Sequence, residues 1–510
     1  MCGIFGVIGT NQAASEIFLA LQNLQHRGED GAGIVIADET GLHKHYGLGL
    51  LDIAFPEAQF LELTGNLGVG HTRYGTSGGQ SLDHLQPFAD EGLQMALAHN
   101  GNLVNYHSLA RQVDEQANER TNEQTDEQAS DGVSPLETSC DSEFFRWYLA
   151  RYFKQAGQVT VDGLQAALTE LSQTVAGSYS VVGFIKGLGL FAFRDPWGLR
   201  PLKLGVRKDE TTGEMATAFA SESTALTYLN FDVCDSVAPG ELVVVTNDGQ
   251  QARRRFAEAH PQHCMFEWVY FARVESQLED LSVYQARFNL GVALGKTVKA
   301  AMDEPPDVIV PIPETSRIAA IAMAESLGIP YREVLIKNRY VNRTFILENQ
   351  AARLKAIGRK LYPVADAIKG KRVLLVDDSI VRGNTAHRIA DMIRACGAKA
   401  LYLASTCPPH QVSKLLRYRF PAQGRAGGGS SRPGRNYRGA GGGSGDLPEH
   451  GGPSGSFGNK PLCTACLDGN YPTDISDGQL MSAYRSKQRN DDLSTHLTGV
   501  ATRAKEPVRR

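Results

Sequence analysis

Residues 373–385 read Val-Leu-Leu-Val-Asp377-Asp378-Ser379-Ile-Val-Arg382-Gly383-Asn384-Thr385. Four apolar residues ahead of two adjacent carboxylates suit a strand buried on both faces of a parallel sheet. Asp377 and Asp378 then stand at its carboxyl end, where open α/β sheets bind their ligands. The turn leads into a helix: Ala386, Ile389, Met392, Ile393 and Cys396 recur at helical spacing, and Gly397 follows as a C-cap. Free N–H groups in the first turn of that helix would face a phosphate. The segment therefore commits this part of the chain to a strand–loop–helix unit with acceptors for ribose hydroxyls and donors for a phosphate. A solvated strand end is the plain alternative for two adjacent aspartates. A Walker loop is excluded, because no Gly-Lys-Ser/Thr follows, and the Gly-x-Gly-x-x-Gly dinucleotide spacing is absent.

The segment resembles the signature of type I phosphoribosyltransferases. The resemblance implies that Asp377 and Asp378 hold the ribose of phosphoribosyl pyrophosphate, while Ser379, Arg382, Gly383, Asn384 and Thr385 wrap its 5-phosphate. The family loop usually ends Arg-Gly-Thr-Thr. Here Asn384 replaces the first Thr and still donates and accepts hydrogen bonds.

At 510 residues the chain exceeds one ordinary domain. A formal charge of −4 provides no basic footprint for nucleic acid. No basic segment followed by an apolar one opens the chain, and no run of about 18 apolar residues occurs, so neither secretion nor membrane spanning is expected. The expected compartment is the cytoplasm. Eight scattered cysteines fit reduced thiols; only Cys2 and the Cys463-Thr-Ala-Cys466 pair invite a chemical reading.

Cys2 lies between Met1 and Gly3. With Met1 removed, it carries a thiol and an α-amine that titrates at about 7.7–8.0, so one residue supplies both nucleophile and base. A lone second-position cysteine is ordinarily without a role; its company argues otherwise. Cys2-Gly-Ile-Phe-Gly6 opens a strand, and Gln25-His26-Arg27-Gly28-Glu29-Asp30, His71-Thr-Arg73-Tyr74-Gly-Thr76, Gln86-Pro87-Phe88, His99-Asn100-Gly101-Asn102 and Asp141-Ser142-Glu143 follow in order. An isolated Asn-Gly is most often a hairpin turn. The ordered set resembles the N-terminal-nucleophile glutamine amidotransferases over residues 2–235. Arg73 suits bidentate pairing with a carboxylate, as the resemblance implies for the glutamine α-carboxylate; Asp141 would hold the α-ammonium. Asn100 and the N–H of Gly101 would stabilise the oxyanion formed when Cys2 attacks the side-chain amide. Cys140 stands where the family commonly has a small hydroxyl residue. Asp114 to Glu137 is dominated by Glu, Gln, Asn, Thr and Asp with almost no apolar anchors and reads as a surface insertion or disordered loop. Strands around Ser180–Phe184 and Leu190–Arg194 lead to Asp195–Pro201 and Ala220-Ser221-Glu222-Ser223, and Asp235 to Thr246 closes the sheet.

From Cys264 the text changes. Phe266–Arg273, Tyr284–Arg287, Asp307–Ser316, Lys337–Phe345 and Lys360-Leu361 resemble the glutamine phosphoribosyl pyrophosphate amidotransferases up to about Pro409. That resemblance implies a chain of mixed α/β and α+β class: an N-terminal-nucleophile hydrolase αββα sandwich at 2–235, then a type I phosphoribosyltransferase parallel-sheet domain at 262–409. It implies that ammonia from Cys2 travels inside the protein to the anomeric carbon and displaces pyrophosphate, giving phosphoribosylamine, the first step of purine biosynthesis. Mg²⁺ would bridge substrate oxygens, with Thr315, Asp377 and Asp378 at metal positions. Lys337 and Arg339 would meet the pyrophosphate as part of a lid over 337–345, in which Asn342 replaces the usual Gly. Purine nucleotide feedback and a homotetramer follow from the resemblance alone.

After Pro409 the family pattern breaks. Glycine fills more than a third of residues 421–460, which reads as a flexible linker. A linker should not replace an edge strand of a catalytic domain. Val412 to Pro421 has an encoding that, read one base later, gives Tyr-Pro-Ser-Tyr-Tyr-Gly-Ile-Asp-Phe, close to the Tyr-Gly-Ile-Asp-Met-Pro expected there. The sequence therefore predicts a local frameshift over 410–461, starting near His410 and restored before Leu462. The tail at 462–510 holds Cys463 and Cys466. In the iron–sulfur branch of the family such a pair joins two earlier cysteines around a [4Fe–4S] cluster; Cys264 matches one of these, and Cys407 is a poor substitute for the other. Two competing readings are an inactive product of a damaged gene and a phosphoribosyl-pyrophosphate-sensing protein. Cys2, Arg73, Asn100 and Asp141 argue against the sensor, which needs no glutaminase.

Overall fold

The computed structural model describes residues 2–56, 63–75, 81–123, 136–208, 213, 215–302, 304–338, 361–380, 384–408 and 453–477. The chain divides into two compact units, the first reaching Gln262 and the second beginning at His263.

The first unit contains two antiparallel sheets. Strands β1 (Gly3–Ile8), β2 (Gly31–Asp38), β3 (Gly41–Leu48), β4 (Leu67–Arg73), β5 (Phe88–Asp90), β6 (Met95–Leu103), β7 (Gly177–Ile185), β8 (Gly189–Arg194), β9 (Lys203–Lys208), β10 (Met215–Ala220), β11 (Asp232–Ser236), β12 (Glu241–Thr246) and β13 (Gln251–Arg255) build it. The seven-stranded sheet runs β11-β9-β10-β1-β4-β2-β3, the six-stranded one β13-β12-β8-β7-β6-β5. Ile4, Val35 and Val69 of one meet Val182, Phe184 and Ala192 of the other in a core between the sheets. Each outer face carries helices. Ala13–Asn23 buries Ala13, Ile17, Ala20 and Leu21 on the first sheet, a single helical stripe. On the second sheet, Val161–Thr174 buries Leu164, Ala167, Leu168 and Leu171 beside Ser142–Ala156. Thr160 caps the former by accepting from Gly163 N–H at 3.0 Å, and Gly157 ends the latter at φ +70°. This is the expected αββα sandwich.

Three details differ from the sequence reading. The unit runs past residue 235, because β12 and β13 extend the second sheet. Asp235 to Thr246 does not close one sheet: β11 is the edge of the first and β12 belongs to the second. The polar stretch from Asp114 is helical as far as Glu123, continuing the helix that starts at Tyr106; apolar anchors at Tyr106, Leu109 and Val113 hold that helix from its first turns.

The second unit holds a parallel sheet in the order Val308–Pro311, Arg372–Ser379, Ala400–Cys407. The central strand is the one anticipated from Val373 to Val376. One of its faces, with Leu374 and Val376, packs on Val298 and on Ala320, Met323 and Ala324 of helix Arg317–Leu327. The other, with Val373 and Leu375, packs on Ile389 and Ile393 of helix Asn384–Ala395. Burial on both faces explains why the run is continuously apolar instead of alternating.

The predicted frameshift falls mostly on residues outside those described. Residues 453–461 are described, and they pack. Phe457 is 1% exposed, its ring edge-on to Trp268 at 6.0 Å; Asn289 Nδ2 donates to Ser456 O at 3.2 Å; and His263 N–H donates to Pro461 O at 2.9 Å. The tail also divides: residues up to Gly469 go with the second unit, and Asn470 onward with the first, where Ser108 Oγ donates to Asp477 at 2.6 Å. Phe457→Ala is expected to destabilise the second unit by about 3–5 kcal/mol. The measurement is its thermal unfolding midpoint, and an unchanged midpoint would show that the segment does not pack there.

Candidate active sites

Strand β1 carries Cys2 into the first site. Gly3 N–H donates to Thr72 Oγ1 at 3.2 Å, and Ile4 and Ser221 exchange two hydrogen bonds, Ile4 N–H to Ser221 Oγ and Ser221 N–H to Ile4 O, both 3.0 Å. Cys2 itself is half-buried, and its backbone nitrogen donates to Asn100 Oδ1 at 3.2 Å. That nitrogen becomes the α-amine once Met1 is removed. Asn100 spends its oxygen on the nucleophile's own residue, while its Nδ2 is buried with no protein partner among the described residues. A buried, unsatisfied donor beside a nucleophile is what an oxyanion requires.

Asn100 and Gly101 do not form a hairpin turn. They lie inside β6, opposite Ser180 and Tyr179 of β7. Glycine is required here for space: a Cβ on Gly101 would fall 1.9 Å from Ser178 O and 2.4 Å from His99 Nε2. Asp141 precedes helix Ser142–Ala156, and one of its carboxylate oxygens accepts from Leu103 N–H at 2.8 Å, tying it to the end of β6. Arg73 ends β4, buried, in register with Gly31. The sandwich thus gathers Cys2, Arg73, Asn100, Gly101 and Asp141 from four separate pieces of sequence.

Several quoted residues had been given no role. Gln86 accepts from His99 N–H at 2.7 Å and donates to Ser142 Oγ at 2.7 Å, and His99 Nδ1 meets the same hydroxyl at 2.9 Å. This closed network underlies both Asn100 and Asp141. Burial pushes the His99 and His71 imidazoles down, that of His71 far below its ordinary range with Arg73 adding to the effect. Burial, followed by the charge of Asp141, pushes the Cys140 thiol up to about 12, which leaves it protonated and inert. Their order along the chain was the only sequence signal for these residues.

In the second unit Asp377 and Asp378 fall within the last three residues of the central strand, so their side chains leave opposite faces. Asp378 is buried; its carboxylate accepts from the Thr315 hydroxyl and from Ser379 Oγ at 2.8 Å. Asp378 N–H donates to Asp377 Oδ1 at 2.9 Å. Burial, then the charge of Asp378, raises the Asp377 carboxyl. Two crowded carboxylates with a hydroxyl form an all-oxygen donor set, which suits a hard cation or ribose hydroxyls. Lys337 Nζ sits 4.0 Å from Glu314, next to Thr315 in the chain. Arg382, Gly383 and Arg339 lie outside the described residues, as do 340–345 and Lys360; Asn384 and Thr385 open the expected helix.

Cys264 and Cys463 are register partners in a parallel two-stranded ladder, and Cys466 lies in the short helix after it. Cys407 is buried at the end of strand Ala400–Cys407, opposite Ser379. Among the described residues no group of three or more His, Cys, Asp or Glu side chains is placed to hold a metal ion.

Comparison with known proteins decides the family. Amidophosphoribosyltransferase of Escherichia coli is 41% identical over 83% of this chain and 82% of its own length. This chain belongs to the amidophosphoribosyltransferases. That of Methanocaldococcus jannaschii is 35% identical over 93% and 98%. A phosphoribosyl transferase domain matches residues 289–419. Among solved structures, the Bacillus subtilis glutamine phosphoribosylpyrophosphate amidotransferase complexed with ADP and GMP superposes with a TM-score of 0.76 at 32% identity, covering 93% of this chain and 98% of that one.

The depressed histidines generate a pH prediction. His71 and His99 stay neutral when folded, whereas in the unfolded chain each takes a proton below about pH 6.5. The unfolded state then binds more protons, so stability rises with pH; it is complete above that value and is lost as pH falls towards the folded values. At pH 5.5 the loss is up to about 1.4 kcal/mol for each histidine. Thermal unfolding of the first unit at pH 5.5 and 7.5 measures it, and a flat profile would refute the assignment.

Proposed function

We propose that this amidophosphoribosyltransferase performs the first step of purine biosynthesis with the residues named above. The observation that carries the reading is the bond from Cys2 nitrogen to Asn100 Oδ1, with Asn100 Nδ2 left free to donate. The Cys2 amine takes the thiol proton, and Sγ attacks the glutamine side-chain carbonyl. Asn100 Nδ2 and Gly101 N–H hold the oxyanion, Arg73 the α-carboxylate and Asp141 the α-ammonium. Collapse, with the Cys2 ammonium returning its proton to the leaving nitrogen, expels ammonia and leaves a thioester, which water opens to glutamate.

The ammonia attacks the anomeric carbon of phosphoribosyl pyrophosphate, a C–N bond forms, and pyrophosphate leaves with the C–O electron pair. Asp377 and Asp378 orient the ribose hydroxyls, and Ser379 to Thr385 take the 5-phosphate. Oxygens of Thr315, Asp377 and Asp378 would hold Mg²⁺, which when bound supplies charge neutralisation on the pyrophosphate. Lys337 and Arg339 assist at that leaving group. None of these steps calls on an iron–sulfur cluster.

No helix among the described residues is long and apolar enough to cross a membrane; a cytoplasmic location belongs to the same proposal. So do a homotetrameric assembly and inhibition by purine nucleotides, the latter supported by the ADP and GMP on the Bacillus subtilis relative. The frameshift over 410–461, restored before Leu462, also stands as a proposal; resequencing codons 410–461 tests it, and an intact reading frame sinks it.

Glutamate release with and without phosphoribosyl pyrophosphate tests the function. The expected outcome is release that the sugar phosphate stimulates; no release under either condition would overturn the reading. Asn100→Ala should lower kcat for glutamine by about 10²–10³. Cys2→Ser should abolish glutamine use while ammonia-dependent phosphoribosylamine formation persists.

A further inference from the structure

Glu222 lies entirely inside the first unit, 0% exposed, as does Arg27. Its Oε1 accepts from Arg27 Nε and, at 2.7 Å, pairs with His26 Nε2. A buried carboxylate held by one buried cation and a histidine is costly to assemble and is retained only where its geometry is used or its partners demand it. None of the chemical steps above calls on it. Its position in the chain indicates the use.

On one side, Glu222 follows Ser221, whose backbone and hydroxyl both grip Ile4, two residues from Cys2. On the other, it holds the turn Gln25–Arg27. The next residue, Gly28, lies directly on the backbone of Arg73: a Cβ there would fall 2.5 Å from Arg73 C and 2.6 Å from its O. Asp30 continues the contact, donating its N–H to Arg73 O at 3.1 Å and accepting from Gly75 N–H at 2.5 Å. Gln25 closes the turn by donating Nε2 to Gly28 O at 2.5 Å.

We propose that Glu222 is a positioning residue for glutamine hydrolysis: through Arg27 and His26 it locks the 25–28 turn under Arg73 and, through Ser221, fixes that turn relative to the strand bearing Cys2. The carboxylate thereby sets the spacing between the group that captures the glutamine α-carboxylate and the sulfur that attacks the far end of the same molecule. A rigid substrate-length gauge is what proximity catalysis needs, since small misplacements cost large factors in rate. Glutamate is the residue for the task because one oxygen must meet two donors arriving from adjacent residues of a tight turn. Aspartate is one methylene short, and glutamine leaves the buried Arg27 charge without its counter-charge.

The inference rests on the glutaminase reading of Cys2. The test measures steady-state glutamine hydrolysis by Glu222→Gln and by the double variant Arg27→Gln/Glu222→Gln, each beside its thermal unfolding midpoint. The double variant removes both buried charges and so avoids leaving one unpaired. The expected result is a KM for glutamine raised, and kcat/KM lowered, by on the order of tenfold or more, in a double variant whose unfolding midpoint stays near the parent's. A double variant that stays folded and uses glutamine with the parent's KM and kcat overturns the role. If the parent chain releases no glutamate, both the glutaminase reading and this one fall; if it does, unchanged kinetics in the folded double variant removes only the role of Glu222.

Discussion

The hydrogen bond between Cys2 nitrogen and Asn100 spans 98 residues of sequence, and it joins two sheets. Cys2 leads into β1 of the seven-stranded sheet; Asn100 belongs to β6 of the six-stranded one. The bond exists because the two sheets pack face to face through Ile4, Val69, Val182 and Ala192. Sheet-on-sheet packing is sensitive to volume on the scale of a methylene, so the core between the sheets also fixes the distance from Cys2 to Asn100.

The polar layer next to this site follows from the same constraint. Groups brought between two apolar sheets must find partners inside. Gln86, Ser142 and His99 satisfy one another, and His99 remains neutral because burial leaves no room for its charge. Burial acts the same way on Cys140, whose thiol it holds protonated.

Much of this was legible in the chain. The apolar run before Asp377 announced a doubly buried strand, and the ordered motifs from Cys2 to Asp141 announced the first unit through their resemblance to the N-terminal-nucleophile glutamine amidotransferases. Asn100-Gly101 was misleading taken alone, since local turn propensity points to a hairpin while a nine-residue strand paired along its length with β7 overrides it. Asp114 to Glu123 misled in the other direction, because composition reports solvation and three apolar anchors upstream suffice to carry a polar helix. The partnership of Glu222 with Arg27 was invisible, being separated by 195 residues and carried by the cap of one short helix and a tight turn. Long-range polar pairing has no periodic signature, so only the three-dimensional pairing of strands could expose it.

The second unit solves a different problem with the opposite economy. Its candidate residues Asp377, Asp378 and Ser379 come from one strand end, so a single contiguous segment carries most of them. Asp377 and Asp378 leave opposite faces of their strand, which places one toward Thr315 and the other toward the helix that opens at Asn384. Asp378 is satisfied by the Thr315 and Ser379 hydroxyls, while burial and the charge of Asp378 raise the Asp377 carboxyl. The segment is recognisable without its surroundings because its strand, carboxylates and helix start are contiguous, whereas the candidate residues of the first unit lie in separate pieces that only the fold assembles.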